Sequence, residues 1–431
     1  MKFHWETEFK ETEIGEIPRE WEVKKINEIG EIGGGSTPST KVKDYWDGDI
    51  PWITPKDLAN HGSRFISCGE RNITRKAVIE NSLKLYPNGT ILLTSRAPIG
   101  YVAIIKNPVT TNQGFKNIAP KEGTNSEFLY YLLINISEYL KDISGGSTFE
   151  ELTKEILKDV LIPFPPLPEQ SRIATVLSWF DDLIENKRRQ NEILEKTAMA
   201  IFKSWFIDFE PFRACPEQER GNYEFVYNEE LGREIPKGWE VSKTTRLIEY
   251  NHFFSLKKSE AYAFIEMKDV SSNSLVCEYN FKQFPGSGVK YYGGDTLMAR
   301  ITPSLEHGKT AFVWFISEKE KGFGSTEFFV LHPKEPYLKE FVYLLAKNDD
   351  FREAAINSMS GTSGRQRADI NALKDYIIPI PPSPILQSFH SLVEPLFQKI
   401  ILNQKQIMSL RKIRDTLLPL LVFGKLRVEE I

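Results

Sequence analysis

The residues of this 431-residue chain best suited to chemistry are six histidines, three cysteines and one phrase shaped like a phosphate loop. His4, His61, His252, His307, His332 and His390 show no ligand spacing, so no metal is expected and they read as surface or packing residues. Cys68, Cys215 and Cys277 are odd in number, scattered and free of any CxxC pair, which suits a reducing cytoplasm. The phrase HGKT (His307 to Thr310) resembles the end of a phosphate-binding loop, but Pro303 stands where that motif needs glycine. The Pro-Pro pairs lack the neighbours of the [DN]PP[FY] motif of amino-methyltransferases. No catalytic residue is expected.

Recognition is the remaining kind of chemistry, and bulk composition does not select a ligand. Net charge is −4, so any nucleic-acid binding has to be local and patchy. Hydrophobic content of 41% and charged content of 26% are those of a globular protein. The length allows two or three domains, each with its own core. No apolar run reaches membrane-spanning length, and the opening MKFHWETEFK lacks the shape of a signal peptide. A cytoplasmic protein without membrane contact is expected.

The elements that position any binding residues are written twice. LKDVLIPFPPLPEQ (Leu157 to Gln170) returns as LKDYIIPIPPSPIL (Leu373 to Leu386), 216 residues on. IGEIPREWEV returns as LGREIPKGWEV, with Trp21 answered by Trp239. APKEGTNSEFLYYLL is matched by HPKEPYLKEFVYLL, Pro120 with Pro333, and ITPKDL near Lys56 has a fainter partner, IEMKDV, near Lys268. Two copies are too few for a solenoid and predict two globular units, each followed by a helix. Short β-like runs such as TILLTS and YVAII, mixed with short helices, predict an α+β fold for each unit.

After each proline phrase comes a long helical pattern. Ile173, Leu177, Phe180, Ile184, Leu194 and Ile201 keep heptad spacing in the first, as do Phe389, Val393, Leu396, Ile400, Ile407, Leu410 and Leu417 in the second. The seams turn polar at Lys187, Asn191, Asn403 and Arg414, three of them near mid-helix, where an antiparallel pair brings them together. Two packings satisfy this spacing: an antiparallel coiled coil, or two helices each lying on its own domain. A helix from Ile173 to Trp205 is roughly 50 Å long at about 1.5 Å per residue. Pro163, Pro165, Pro166 and Pro168 lack amide donors and predict an extended, stiff elbow before the helix. A proline-rich SH3-type ligand is the competing reading.

From Ile162 to Phe212 the chain resembles the specificity subunit of type I restriction–modification enzymes, through IPFPPLPEQSRIATVLSWFDDLIENKRRQNEILEKTAMAIFKSWFIDFEPF. The C-terminal LRKIRDTLLPLLVFGKLRV, the two tryptophan leads, SGGSTFEEL and the series STPST, YW, IPWITPKDL, TSRAPIG and TTNQG extend the resemblance over nearly the whole chain. It implies two target-recognition domains, each reading half of a split sequence in double-stranded DNA, spaced by an antiparallel coiled coil with approximate two-fold symmetry. Residues 1–168 and 211–384 are then the recognition domains, and 169–210 and 385–431 the spacer helices. It further implies a noncatalytic subunit that recruits two adenine methyltransferase subunits, with restriction–translocase subunits completing the complex. No cofactor is expected on this chain; S-adenosylmethionine, ATP and magnesium belong on the partners. Half-sites one turn apart are separated by about 34–36 Å, a distance the long helices can span.

Under this resemblance the DNA contacts fall in polar loops. In the first unit the candidates are Ser36, Thr37, Ser39, Lys41, Lys56, Thr94, Ser95, Arg96, Asn112, Gln113, Lys116, Ser147 and Thr148, with the loops around TSRAPIG and TTNQG favoured by similarity. In the second they are Lys268, Arg300, Thr302, Ser304, Lys309, Thr326, Arg365, Gln366 and Arg367. Amide and guanidinium groups can read base edges, whereas hydroxyls and lysines more often hold phosphate. GGGSTPST and WITP have no counterpart in the second unit, and GRQR occupies the place of STFE, so a different half-site is expected there. Glu169 and Gln170, replaced by Ile385 and Leu386 in the second elbow, are conditional candidates for a methyltransferase contact. Lys187, Arg188 and Arg189 either face DNA between the half-sites or form a solvated face. The rivals are a coiled-coil adaptor with degenerated domains and a self-sufficient nuclease or methyltransferase.

Overall fold

The computed structural model describes residues 2–59, 61–96, 98–145, 151–213, 223–362 and 364–430. The chain divides into two compact units, residues 1–186 with 407–431, and residues 187–406. Both divisions fall inside long helices, Leu167–Phe206 and Ser383–Val422. Among the described residues no helix is long and apolar enough to cross a membrane.

In unit 1 a five-stranded sheet runs in the order Gly30–Gly34, Phe115–Pro120, Ile91–Ser95, Ile99–Ile105, Phe65–Ile66. Its pairs are antiparallel except the last. Strand Ile91–Ser95 is buried along its whole length, so it reads as an apolar run rather than an alternation. Helix Ser126–Asn135 covers this sheet, and Phe128 to Leu133 are all buried, which explains a helix apolar on every side. Asn125 starts it by accepting the Phe128 N–H. A second sheet joins Thr110–Thr111, Trp46–Ile53 and Arg71–Ile73.

Unit 2 repeats the plan with changes. Ile248–Tyr250, Phe328–Pro333, Thr296–Ala299 and Thr310–Phe312 form an antiparallel sheet whose first three strands answer the first three of unit 1. A second four-stranded sheet orders Asn280–Gln283, Ala261–Ile265, Lys321–Gly324 and Val289–Tyr292. In each unit one pair in the second sheet is parallel: Trp52 opposite Thr110, and Ala263 opposite Gly322. The faint echo ITPKDL/IEMKDV is one local structure. Asp57 accepts the Thr54 N–H at 2.7 Å, and Asp269 accepts the Glu266 N–H at 2.7 Å.

The proline phrases begin as strands. Leu161–Phe164 pairs with Glu22–Lys25, and Ile377–Ile380 with Glu240–Lys243, so Pro163 faces Val23 and Pro379 faces Val241. Each is a two-stranded pair with a free edge, where a missing donor is tolerated. Pro168 and Pro384 then fall in the first helical turn, whose N–H groups have no intrahelical partner. The expected elbow is thus a short strand followed by a proline-started helix.

Within each unit the long helices run antiparallel. In unit 1, Ile173, Val176 and Leu177 share a core with Leu418, Leu421 and Val422, Arg414 pairs with Asp181, and the Arg172 Nε donates to the Val428 carbonyl. In unit 2, Phe202 and Phe206 pack on Phe389, with ring centroids 6.3 and 4.8 Å apart. There the Asn403 amide donates to Asn191 Oδ1 at 2.9 Å, and Lys187 donates to Gln406. Of the expected seam, Ile173, Leu177, Ile184, Phe389, Val393, Ile400 and Ile407 are buried; Phe180, Leu194, Ile201, Leu396, Leu410 and Leu417 are half-buried. Burial moves from Ile201 to Phe202, and from Leu396 to Phe397. A straight helix drifts roughly 20° per heptad from a 3.5-residue repeat, which over four heptads amounts to about one residue.

Candidate nucleic-acid interface

In unit 1 the end of the central strand Ile91–Ser95 gathers several of the polar candidates. The Ser95 N–H donates to the Gly114 carbonyl, and the Leu152 N–H to the Ser95 carbonyl. Lys116 reaches Ser95 Oγ at 3.3 Å and Glu151 at 3.1 Å. Beside it, Thr37 donates to Gln113 Oε1 at 2.6 Å, the Ser36 N–H to the Thr111 carbonyl, and the Gly114 N–H to Asn112 Oδ1. Ser36, Thr37, Ser39, Lys41 and Gln113 are exposed, and Asn112, Lys116 and Arg96 half-buried. Trp52 and Trp46 support this loop by donating to the Ser36 and Ser39 carbonyls.

Thr94 and Ser95 are placed differently from a solvated loop: both are fully buried in the strand, and Thr94 is spent on the Pro98 carbonyl and the Tyr101 N–H. Thr94 thereby ties the end of the strand to Pro98 and Tyr101 rather than facing solvent. Lys56 is exposed and holds Glu70 at 2.8 Å. Ser147 and Thr148 lie outside the described residues.

Unit 2 gathers its candidates at the corresponding strand end. The Arg300 N–H donates to the Glu327 carbonyl and the Ala368 N–H to the Arg300 carbonyl. The Thr302 N–H donates to the Gln366 carbonyl, and Thr302 Oγ1 accepts the Gln366 N–H at 3.2 Å. Arg367 forks onto both oxygens of Glu327. That hydrogen bond, working against partial desolvation, holds the Glu327 carboxyl below its usual range. Arg365, Arg367 and Thr326 are exposed; Thr302, Ser304 and Gln366 are half-buried. The Arg300 guanidinium lies 5.0 Å from the Phe329 ring centre. Lys309 donates to the Met267 carbonyl, and Lys268 pairs with Glu266 at 2.7 Å.

The two elbow residues are not surface groups. Glu169 is buried, accepts the Trp21 indole N–H at 3.0 Å and pairs with Arg427, which also binds Glu6. Gln170 is buried and bonded to the Asn125 N–H and to the Gly123 and Pro165 carbonyls. A contact with another subunit through these side chains is excluded in this conformation because both are spent on their own unit.

One cluster has no counterpart in the sequence reading. Glu249, His252 and His332 lie together around the buried Asp295, although His252 and His332 are far apart in the chain. Strand pairing creates the cluster, so no local spacing announces it. Its only sequence signal is the echo that makes HPKEPYLKEF the end of a strand.

The fold thus consists of two diverged copies of one α+β unit, each presenting a polar loop cluster at the end of its central strand, with two long helices. This architecture has a known class. A family model described as "Type I restriction modification DNA specificity domain" matches residues 18–196 and again 236–412. Over 446 aligned residues the chain is 52% identical to the type I restriction enzyme MjaIX specificity subunit of Methanocaldococcus jannaschii, covering 100% of this chain and 99% of that one. It is 34% identical to the EcoR124I/EcoR124II specificity subunit of Escherichia coli over 44% of this chain and 47% of that one. Among solved structures, the S subunit of a type I restriction–modification system from M. genitalium shares the fold, with a TM-score of 0.52, 16% identity, and coverage of 93% of this chain and 96% of that one. The chain belongs to the family of type I restriction–modification specificity subunits.

Proposed function

We propose that this chain is the DNA-reading, noncatalytic subunit of a type I restriction–modification complex, with one half of a bipartite target read by each unit. The observation that carries this is the repetition of one strand-end scaffold with different polar groups on it. Unit 1 offers Thr37, Gln113 and Lys116 there, unit 2 Thr302, Gln366 and Arg367. Equal scaffolds with unequal side chains are what two different half-sites require, because base edges are told apart by the donors and acceptors set against them.

The reading assigns residues 1–168 and 211–384 to target recognition and the long helices to an antiparallel coiled-coil spacer that sets the gap between half-sites. Two adenine methyltransferase subunits dock on the chain, and restriction–translocase subunits join them. S-adenosylmethionine, ATP and magnesium are bound by these partners. The buried Asn191–Asn403 pair supports the spacer, since a polar pair at a seam fixes register.

The test is a transplant. Residues 1–165 are replaced by those of a relative with another target, the chimera is expressed with its methyltransferase partner, and methylated adenines are mapped. One half-site changes and the other persists; an unchanged target refutes the assignment of recognition to that segment.

A further inference from the structure

We propose that unit 2 carries a divalent-metal site, suited to zinc, whose ligands are Glu249, His252 and His332. Strand Ile248–Tyr250 pairs antiparallel with Phe328–Pro333 and sets Glu249 directly opposite His332. The next residue, Asn251, has φ of +49° and is locked by two bonds to Val330, its N–H to the carbonyl and its Oδ1 from the N–H, each at 2.8 Å. That turn brings the His252 ring to 4.7 Å from the His332 ring, centre to centre. One ligand atom from each of the three residues lies within 4.8 Å of the others.

The surroundings are those of a built site. Asp295 is fully buried, and its Oδ1 lies 2.6 Å from His332 Nδ1, which leaves Nε2 as the ring nitrogen open to a metal. A buried carboxylate behind a histidine is the outer-shell arrangement that orients metal-bound imidazoles. The His252 side chain is 6% exposed, and its Nε2 lies 3.1 Å from Asp295 Oδ2 yet makes no hydrogen bond. An enclosed ring nitrogen whose neighbour lies outside hydrogen-bond geometry is poorly satisfied, and a metal bond removes that cost. Tyr292 and Phe254 pack against the His252 ring at 5.0 and 5.3 Å, shielding it from water.

Zinc takes imidazole nitrogen at about 2.0–2.1 Å, which places tetrahedral donors about 3.3 Å apart. The exposed Glu249 carboxylate closes the remaining gap by a side-chain rotation, and water completes the shell. Two imidazoles and one carboxylate favour zinc, nickel or copper over magnesium or calcium. His332 is five residues along the strand from Glu327, roughly 16 Å at about 3.3 Å per residue. The ion would therefore brace the sheet away from the Arg367 cluster and leave base reading alone.

The full-length chain, stripped with a chelator, is titrated with zinc sulfate by calorimetry and with cobalt(II) by visible absorption. The expected result is one equivalent bound in the micromolar range or tighter, with the intense cobalt bands of a low-coordinate imidazole site. Asp295→Asn weakens binding roughly 10–100-fold, and loss of both histidines (His252→Ala, His332→Ala) abolishes it. Glu249→Gln, an exposed change that spares the fold, also weakens zinc and alters the cobalt spectrum. Absence of binding in the parent chain at tens of micromolar, or unchanged binding in Glu249→Gln or in a natively folded double-histidine variant, overturns the proposal.

Discussion

Four basic side chains suggested for DNA contact each hold a carboxylate of their own unit: Lys56 with Glu70, Lys116 with Glu151, Lys268 with Glu266, and Arg367 with Glu327. A phosphate would have to displace a carboxylate at each of these positions, which fits a chain of negative net charge that binds DNA only where geometry allows. If Arg367 holds phosphate, Arg367→Ala weakens binding by the assembled complex about equally on all sequences. It also lowers the slope of log affinity against log salt by about 1, measured by fluorescence anisotropy. Glu266 offers a separate check, since hydrogen bonds from Lys268 and Lys282 pull its pKa down to about 2. Its folded pKa is depressed, so its contribution to stability is complete above the ordinary value of 4.5 and lost as pH falls toward 2. Carboxyl NMR titration should place its midpoint near 2 and move it upward in Lys282→Ala. Much at this scale was illegible beforehand. TSRAPIG is favoured as a binding loop, yet its Thr94 and Ser95 end the β-like run TILLTS inside the core; Glu169 and Gln170 are conditional candidates for a partner contact, yet Trp21, Arg427 and Asn125 claim them. A side chain's partner is a tertiary fact, and spacing carries no record of it.

Elements were far more legible, because periodicity and repetition are local. The long helices follow from apolar spacing, and the strand pairs Glu22–Lys25 with Leu161–Phe164 and Glu240–Lys243 with Ile377–Ile380 join phrases that each recur in the sequence. Sheet order was not legible: Phe65–Ile66 joins Ile104–Ile105 in parallel through a long excursion that leaves no pattern. Burial also shifts by about one residue from the heptad positions toward Phe202 and Phe206, because a helix of 3.6 residues per turn drifts against a 3.5-residue repeat. Two substitutions test the helix packing. Phe206→Ala, which empties the contacts with Phe341, Phe389 and Trp239, should cost about 3–5 kcal/mol in the urea transition reporting unit 2. Asn403→Ala leaves Asn191 buried without its donor and should cost about 1–3 kcal/mol, while leucine at both positions should recover most of the loss.

At the scale of the whole molecule the duplication was legible and the division of the chain was not. Echoes in sequence announce two units, but whether a helical residue belongs to one core or the other depends on what surrounds it. Unit 1 takes residues 1–186 and then 407–431, whereas unit 2 is the continuous stretch 187–406. A chain stopped at residue 406 should therefore keep the unit 2 core and expose Ile173, Val176 and Leu177, which lose Leu418, Leu421 and Val422. Limited proteolysis should cut its 1–186 segment while sparing 187–406; equal resistance throughout would contradict the shared core. The same discontinuity orders events on the ribosome. In synthesis from the N-terminus, all of residues 187–406 are made before residues 407–431, which the core of residues 1–186 requires. Residues 187–406 hold every partner their core needs, whereas Ile173, Val176 and Leu177 stay uncovered until Leu418, Leu421 and Val422 are present.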